Sequence, residues 1–176
     1  MARVRFLAAV SCVLGVLVVS AAALALNVGD AVTTVEIKDA NNKPATIPDI
    51  GKKVIALFYT DPDVKDQNEP FRDMLKAAKL DETKYRGIGV GNLKDTWKPN
   101  WIIRKIIRNK MEKFKSLILT DVDHTLKNKW NLGATDEKDI VIIIGKDRKV
   151  KMFKAAKMSD AEKAAGLKLV KELIAK

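Results

Sequence analysis

Cysteine is almost missing from this 176-residue chain: Cys12 is the only one, and it lies inside an apolar run near the start. No intramolecular disulfide can form, and no pair of thiols is available for exchange. Histidine is as scarce, with His124 alone. A metal or catalytic histidine would have to find acidic partners, and those nearest in sequence are Asp121 and Asp123. A lone histidine in such a polar turn reads as solvated. Proline and glycine are too few and too scattered to mark a linker, and there is no repeat or low-complexity stretch, so a single domain is expected.

Charge of one sign is what the sequence has in excess. Thirty-three Lys and Arg stand against 22 acids, a formal charge of +11. Between Arg5 and Asp30, however, nothing is charged. Met1-Ala2-Arg3-Val4-Arg5, an apolar stretch from Phe6 to Ala25 and the small-x-small triplet Ala23-Leu24-Ala25 have the form of a secretory signal peptide. The expected division is a signal peptide over 1–25 and one domain over 26–176, located in the periplasm. The alternative is an uncleaved anchor in the inner membrane, because Phe6 to Leu26 is long enough to cross a bilayer. A mature chain of that length buries roughly 68–70% of its unfolded surface and needs no disulfide. Its basic balance suits a protein partner or an anionic envelope component, with peripheral membrane contact, rather than nucleic acid, which belongs to another compartment.

Periodicity orders the domain. Thr33 to Ile37 reads as a strand and Asp39 to Gly51, with Pro44, Pro48 and Asn41-Asn42, as a loop. Lys53 to Tyr59 is nearly continuous apolar, as in a strand covered on both faces. Glu69 to Leu80 has helical spacing of Phe71, Met74, Leu75 and Ala78, and Tyr85 to Leu93 is a strand with three glycines that permit close backbone approach. This gives a βαβ unit with parallel strands. Lys98 to Phe114 is a second helix, with Trp101, Ile103, Ile107, Met111 and Phe114 as one apolar stripe and Ile102 and Ile106 beside it. Leu117 to Thr120 is a strand. Asp139 to Ile144, a turn at Lys146-Asp147-Arg148 and Val150 to Phe153 form a hairpin. Ser159-Asp160-Ala161-Glu162 has capping-box spacing and opens a helix with Leu167, Val170 and Ile174 on one face.

A βαβ half followed by a ββα half around a mixed sheet is the thioredoxin-like layout, here with an extra basic helix. Asn27-Val28-Gly29-Asp30 and Gly51 to Tyr59 resemble the opening of exported thioredoxin-fold proteins. In redox members two cysteines follow that strand; here the turn is Thr60-Asp61-Pro62-Asp63-Val64-Lys65-Asp66. The family's cis-proline neighbourhood corresponds to Thr135-Asp136-Glu137-Lys138-Asp139, without proline. The degenerate turn carries Thr60, Asp61, Asp63, Lys65 and Asp66. Over nearly the whole mature chain, Lys65-Asp66-Gln67-Asn68, Ala77-Ala78-Lys79, Tyr85, Asp121, Trp130 and Leu132 follow the order and spacing of the YtfJ-like family of periplasmic thioredoxin-fold proteins. Gly87 to Asp95 departs from that family's threonine-rich stretch with its closing pair of acids. The resemblance implies fold and location and carries no catalytic role.

Leu119-Thr120-Asp121-Val122-Asp123-His124-Thr125 also resembles the first motif of haloacid-dehalogenase-type phosphatases, in which one aspartate attacks phosphorus, a second moves a proton and Mg²⁺ neutralises the phosphate. Only 50 residues follow Leu126, too few for the later lysine and acidic pair that such an enzyme needs. Read as a calcium loop from Asp61, the acidic turn fails: Lys65 is at position five, Asp66 at six and Arg72 at twelve. No metal and no cofactor are expected. The face that best suits a binding role is the second helix, with Arg104, Lys105, Arg108, Lys113 and Trp101, because basic amphipathic helices bearing tryptophan suit anionic surfaces.

Overall fold

The computed structural model describes residues 25–176. The signal segment inferred over 1–25 lies outside those residues, apart from Ala25. Among the described residues no helix is long and apolar enough to cross a membrane.

The strands are β1 (Glu36–Lys38), β2 (Pro44–Thr46), β3 (Val54–Thr60), β4 (Tyr85–Asn92), β5 (Leu117–Asp121), β6 (Asp139–Ile144) and β7 (Val150–Lys154). They form one sheet in the order β2-β1-β5-β4-β3-β6-β7. The three middle strands β5, β4 and β3 are parallel, and β6, β7, β1 and β2 add antiparallel edges. The helices are α1 (Glu69–Ala77), α2 (Asn100–Phe114), α3 (Thr125–Lys129) and α4 (Asp160–Ala175). The mixed sheet with βαβ and ββα halves is the layout inferred from the sequence.

The apolar runs go where their lengths require. Six of the seven residues of β3 and all six of β6 are buried, because each strand has a neighbour on either side and a covered layer on either face. Val54, Ala56, Phe58, Val141 and Ile143 meet Phe71 and Leu75 of α1 and Val170 of α4. Ile55, Leu57, Tyr59, Ile140, Ile142 and Ile144 meet Leu126, Trp130 and Leu132 on the opposite face. Each such isoleucine stabilises the fold by roughly 1.5–3 kcal/mol relative to an exposed one. Helix α2 covers a third, smaller cluster with Ile103 and Ile107 over Leu93 and Ala40.

Three local readings change. The strand inferred over Thr33–Ile37 begins only at Glu36, since Thr33 instead offers its carbonyl to the buried Trp130 indole at 3.0 Å. The loop inferred over Asp39–Gly51 contains β2. Asp39 Oδ1 accepts hydrogen bonds from Asn41 and Lys43 N–H, each at 2.8 Å, and closes a hairpin on which Pro44 is tolerated at the sheet edge. The polar turn after β5 contains α3, whose Leu126 is buried. The β4 glycines do permit a close approach, but by side chains. A Cβ on Gly91 would stand 3.3 Å from Ile107 Cδ1, and one on Gly89 3.2 Å from Ile118 Cγ1.

Candidate functional site

Parallel strands bring the last residues of β3, β4 and β5 to one edge of the sheet, the edge where open α/β sheets place ligands. Here that edge is lined by polar side chains with almost no exposed surface: Asp61, Asn92, Thr120, Asp121 and Thr135 are all buried.

The turn after β3 is tied down. Asp61 accepts the N–H of Asp63 on Oδ1 at 2.9 Å, capping the single 3₁₀ turn Pro62–Val64, and the N–H of Glu137 on Oδ2 at 2.8 Å. Its own N–H donates to Lys138 carbonyl. The segment Thr135–Lys138, where redox relatives would face their dithiol, is therefore stapled to a carboxylate. Burial raises the Asp61 pKa above the ordinary aspartate value, although the Glu137 N–H pulls it down. Thr60 donates to Asp139 Oδ1 at 2.6 Å, Asp63 pairs with Lys98 and Thr96, and Lys65 with Asp66 form an exposed pair. All five residues of the degenerate turn thus serve local structure.

Beside it lies a clamp that the sequence did not announce. Asn68 donates from its backbone N–H to Asp139 Oδ2 and from Nδ2 to the carbonyls of Asp139 and Ala156, while its Oδ1 accepts the N–H of Met158 at 2.8 Å. Arg72 reaches both Asp139 oxygens at 2.8 Å and lies over the Phe58 ring at 4.4 Å. Burial still raises the Asp139 pKa, against the lowering influence of Arg72, Thr60 and Asn68. One asparagine joins the start of α1, the start of β6 and the approach to α4. Asp139, a polar residue opening an apolar strand, was the available signal, but the partners of Asn68 are 71 and 90 residues away.

Asp121 accepts the Tyr59 hydroxyl at 3.0 Å and the Lys127 N–H at 3.1 Å on Oδ2, and has no exposed surface. Burial, and next the Asp121 charge, push the Tyr59 hydroxyl pKa up. Asp123 is exposed and accepts the N–H and hydroxyl of Thr125 at 3.1 and 2.6 Å, so the first turn of α3 holds it. Tyr59 and Lys127 thus engage Asp121 Oδ2 alone, and Oδ1 is buried without a hydrogen-bond partner. His124 is not simply solvated: its Nε2 lies 2.7 Å from Asp95 Oδ1, though without the alignment of a hydrogen bond. Asp95 Oδ2 accepts Thr135 at 2.6 Å and Asn92 at 2.5 Å. Burial would raise the Asp95 pKa, but those two bonds and the nearby His124 hold it below the ordinary value. Among the described residues no three His, Cys, Asp or Glu side chains are grouped to hold a metal.

Helix α2 starts at this same edge and divides the residues singled out on it. Ile103 and Ile107 are buried, but Trp101 is 68% exposed and Phe114 42%. The single stripe inferred from the sequence is therefore split, because Trp101, two residues before Ile103, falls on the other side of the helix. Arg104 bonds Asn42 Oδ1 at 2.6 Å and Arg108 the Ala40 carbonyl at 2.9 Å, so both tie α2 to the β1–β2 turn. Lys105, Lys113 and Trp101 project outward, and Trp97 just before the helix is 82% exposed.

The sheet order, the helices and the site edge define a thioredoxin-fold protein, and solved structures agree on the fold. The chain is similar to BsSco, a member of the Sco family of cytochrome c oxidase assembly proteins, at 13% identity and a TM-score of 0.62, over 86% of this chain and 98% of that one. It is also similar to the exposed lipoprotein thioredoxin Etrx1 of Streptococcus pneumoniae, at 18% identity and 0.57, over 80% and 100%. A peroxiredoxin-like protein from Aquifex aeolicus matches at 15% identity and 0.59, over 85% and 89%. Within that class, the chain belongs to the YtfJ_HI0045 family, described as bacterial protein of unknown function, whose model matches residues 32–173. An uncharacterized protein of Haemophilus influenzae is 28% identical over 111 residues, which are 62% of this chain and 59% of that protein's length.

Proposed function

We propose that this is an exported thioredoxin-fold protein that carries out no dithiol exchange and acts as a binding module of the bacterial envelope, with α2 and the Trp97–Lys98 stretch as its recognition surface. One observation carries the reading. Of the five large apolar side chains exposed among the described residues, Trp97, Trp101, Ile106 and Phe114 belong to this single segment, and only Val28 lies elsewhere. Large exposed apolar groups gathered among cations mark an interaction surface rather than ordinary solvent-facing helix. The missing second cysteine and the stapled Asp61 turn support a role without thiol chemistry.

The test has two parts. The full chain is expressed in a Gram-negative host and the periplasmic fraction is weighed by mass spectrometry, with Leu26–Lys176 as the expected product. That product is then titrated with dextran sulfate and with neutral dextran while tryptophan emission is followed. Trp130 is buried, so Trp97 and Trp101 report. Only the sulfated polymer should change the emission. The pair Lys105→Glu and Lys113→Glu should weaken that response about tenfold or more, whereas the equal charge change Lys168→Glu with Lys171→Glu on α4 should not. Equal loss in both pairs would reduce the effect to net charge and overturn the assignment of α2.

A further inference from the structure

We infer that the occupant of the α2 face is the anionic surface of a lipid bilayer; this rests on the reading of α2 as the recognition surface and names its partner. Charge gives the sign of that partner. From Trp97 to Lys115 the segment carries Lys98, Arg104, Lys105, Arg108, Lys110, Lys113 and Lys115 against one acid, Glu112. The distribution of exposed groups gives its shape. Trp101, Lys105 and Arg108 follow one another at helical spacing and are all exposed, with Ile106, Lys113 and Phe114 on adjoining turns. Apolar and cationic groups therefore alternate along a convex helix surface.

Two cavities of the structure lie away from this face. One, of about 320 Å³, is lined by Leu26, Thr33 and Trp130; the other, of about 440 Å³, by Met74, Leu167 and Lys171. A bilayer demands no matching shape. It accepts indole rings at the level of its headgroups and pairs surrounding lysines with anionic lipid. Cations already stand against the aromatic rings: Lys98 Nζ is 5.1 Å from the centre of the Trp97 ring, and Lys76 and Lys113 are 5.1 and 5.2 Å from that of Phe114. Aromatic groups near cations suit the boundary between apolar chain and charged headgroup. Arg104 and Arg108 meanwhile hold the helix to the β1–β2 turn, so the face is presented by the folded domain.

The experiment is co-sedimentation of the mature domain with vesicles of phosphatidylcholine alone and of phosphatidylcholine mixed equally with phosphatidylglycerol, with tryptophan emission read in parallel. Binding to the mixed vesicles only, with emission shifted to the blue, is expected. Trp97→Ala with Trp101→Ala should weaken vesicle binding about tenfold or more, because removing both rings removes the interfacial anchor. Both side chains are largely exposed, so circular dichroism and the unfolding midpoint should be unchanged. Response to dextran sulfate without binding to the mixed vesicles would overturn the lipid assignment and leave the recognition surface standing. Silence toward both polyanion and vesicles would remove both. Vesicle binding lost equally in the α4 lysine pair, or untouched by the tryptophan variant, would also overturn it, as would an acidic protein held through Trp101 and Lys105 by a domain that ignores vesicles.

Discussion

Helices α2 and α4 have nearly the same length and cover the same face of the sheet, yet they are built to opposite rules. Helix α4 opens with a complete capping box: Ser159 Oγ accepts the Glu162 N–H, and the Glu162 carboxylate accepts the Ser159 N–H. Ion pairs link Asp160 to Lys163 and Glu162 to Lys154. Gly166 sits so close to Phe71 that a Cβ there would stand 2.8 Å from the ring. No large apolar side chain of α4 is exposed. Helix α2 starts after Pro99 with no side-chain cap and ends on Lys115 in the left-handed region, at φ 50°. Arg104 and Arg108 repel each other at i,i+4 spacing and are steadied only by the β1–β2 turn. Its exposed residues do little for the helix itself. Helix α4 is thus closed upon the domain, whereas α2 is held by Ile103 and Ile107 and leaves Trp101, Ile106 and Phe114 exposed.

The largest loss is expected where the seam between α1, β6 and α4 is opened. Asn68→Ala would leave the Met158 N–H and the carbonyls of Ala156 and Asp139 without their side-chain partner, while the bond from the Asn68 backbone N–H to Asp139 would remain. Leaving buried polar groups unsatisfied costs about 1–3 kcal/mol each, and a loss of about 3 kcal/mol in unfolding free energy is expected after partial relaxation. Chemical denaturation measures it. If α2 is fastened separately, its response to dextran sulfate should survive at denaturant concentrations where the variant is still folded.

A smaller effect should appear at the caps. Ser159→Ala removes one half of the capping box and should cost about 1 kcal/mol. Pro99→Ser places a capping side chain where α2 has none, and should raise stability by a few tenths of a kcal/mol or leave it unchanged. Opposite signs at the two helix starts, read from unfolding midpoints, would sharpen the contrast. A loss at Pro99 as large as that at Ser159 would show that α2 depends on proline's fixed φ, and the contrast would fail.

Much of α4 was legible in the chain because its determinants are local. Ser159 and Glu162 are three residues apart, and Val170 lies on the face that periodicity marks. Strands β3 and β6 were legible for a related reason, since continuous apolar runs have few other places to go. The site was less so. Asn68 and Asp139, or Tyr59 and Asp121, meet only after the sheet is assembled, and nothing within a short window names their partners. Helix α2 misled in a different way. Its isoleucines and aromatics look equivalent as apolar residues, and only the sheet decides that Ile103 goes in and Trp101 stays out. Hairpin β1–β2 was hidden by Pro44 and the asparagines, which mark turns but do not forbid a short edge strand.

The finest test uses pH. The Lys154 ammonium, followed by the Ser159 N–H, lowers the Glu162 pKa from its ordinary 4.5 to about 2. Because the folded value is depressed, the stability this carboxylate contributes is fully present above about pH 4.5 and is lost as pH falls through about 2. Asp61 and Asp139 act with the opposite sign. Burial raises their folded values, so what they contribute is greatest when they are protonated and declines as pH rises through those values. The acid profile of the protein as a whole therefore mixes the two, and only a difference isolates the cap. Unfolding midpoints of the protein and of Glu162→Gln should differ by a constant amount above pH 5 and converge between about pH 4.5 and 2. A gap that persists at the acid end would mean that Glu162 supports α4 through its shape and hydrogen bonds alone, and the closed, charge-locked start of α4 would no longer set it apart from α2.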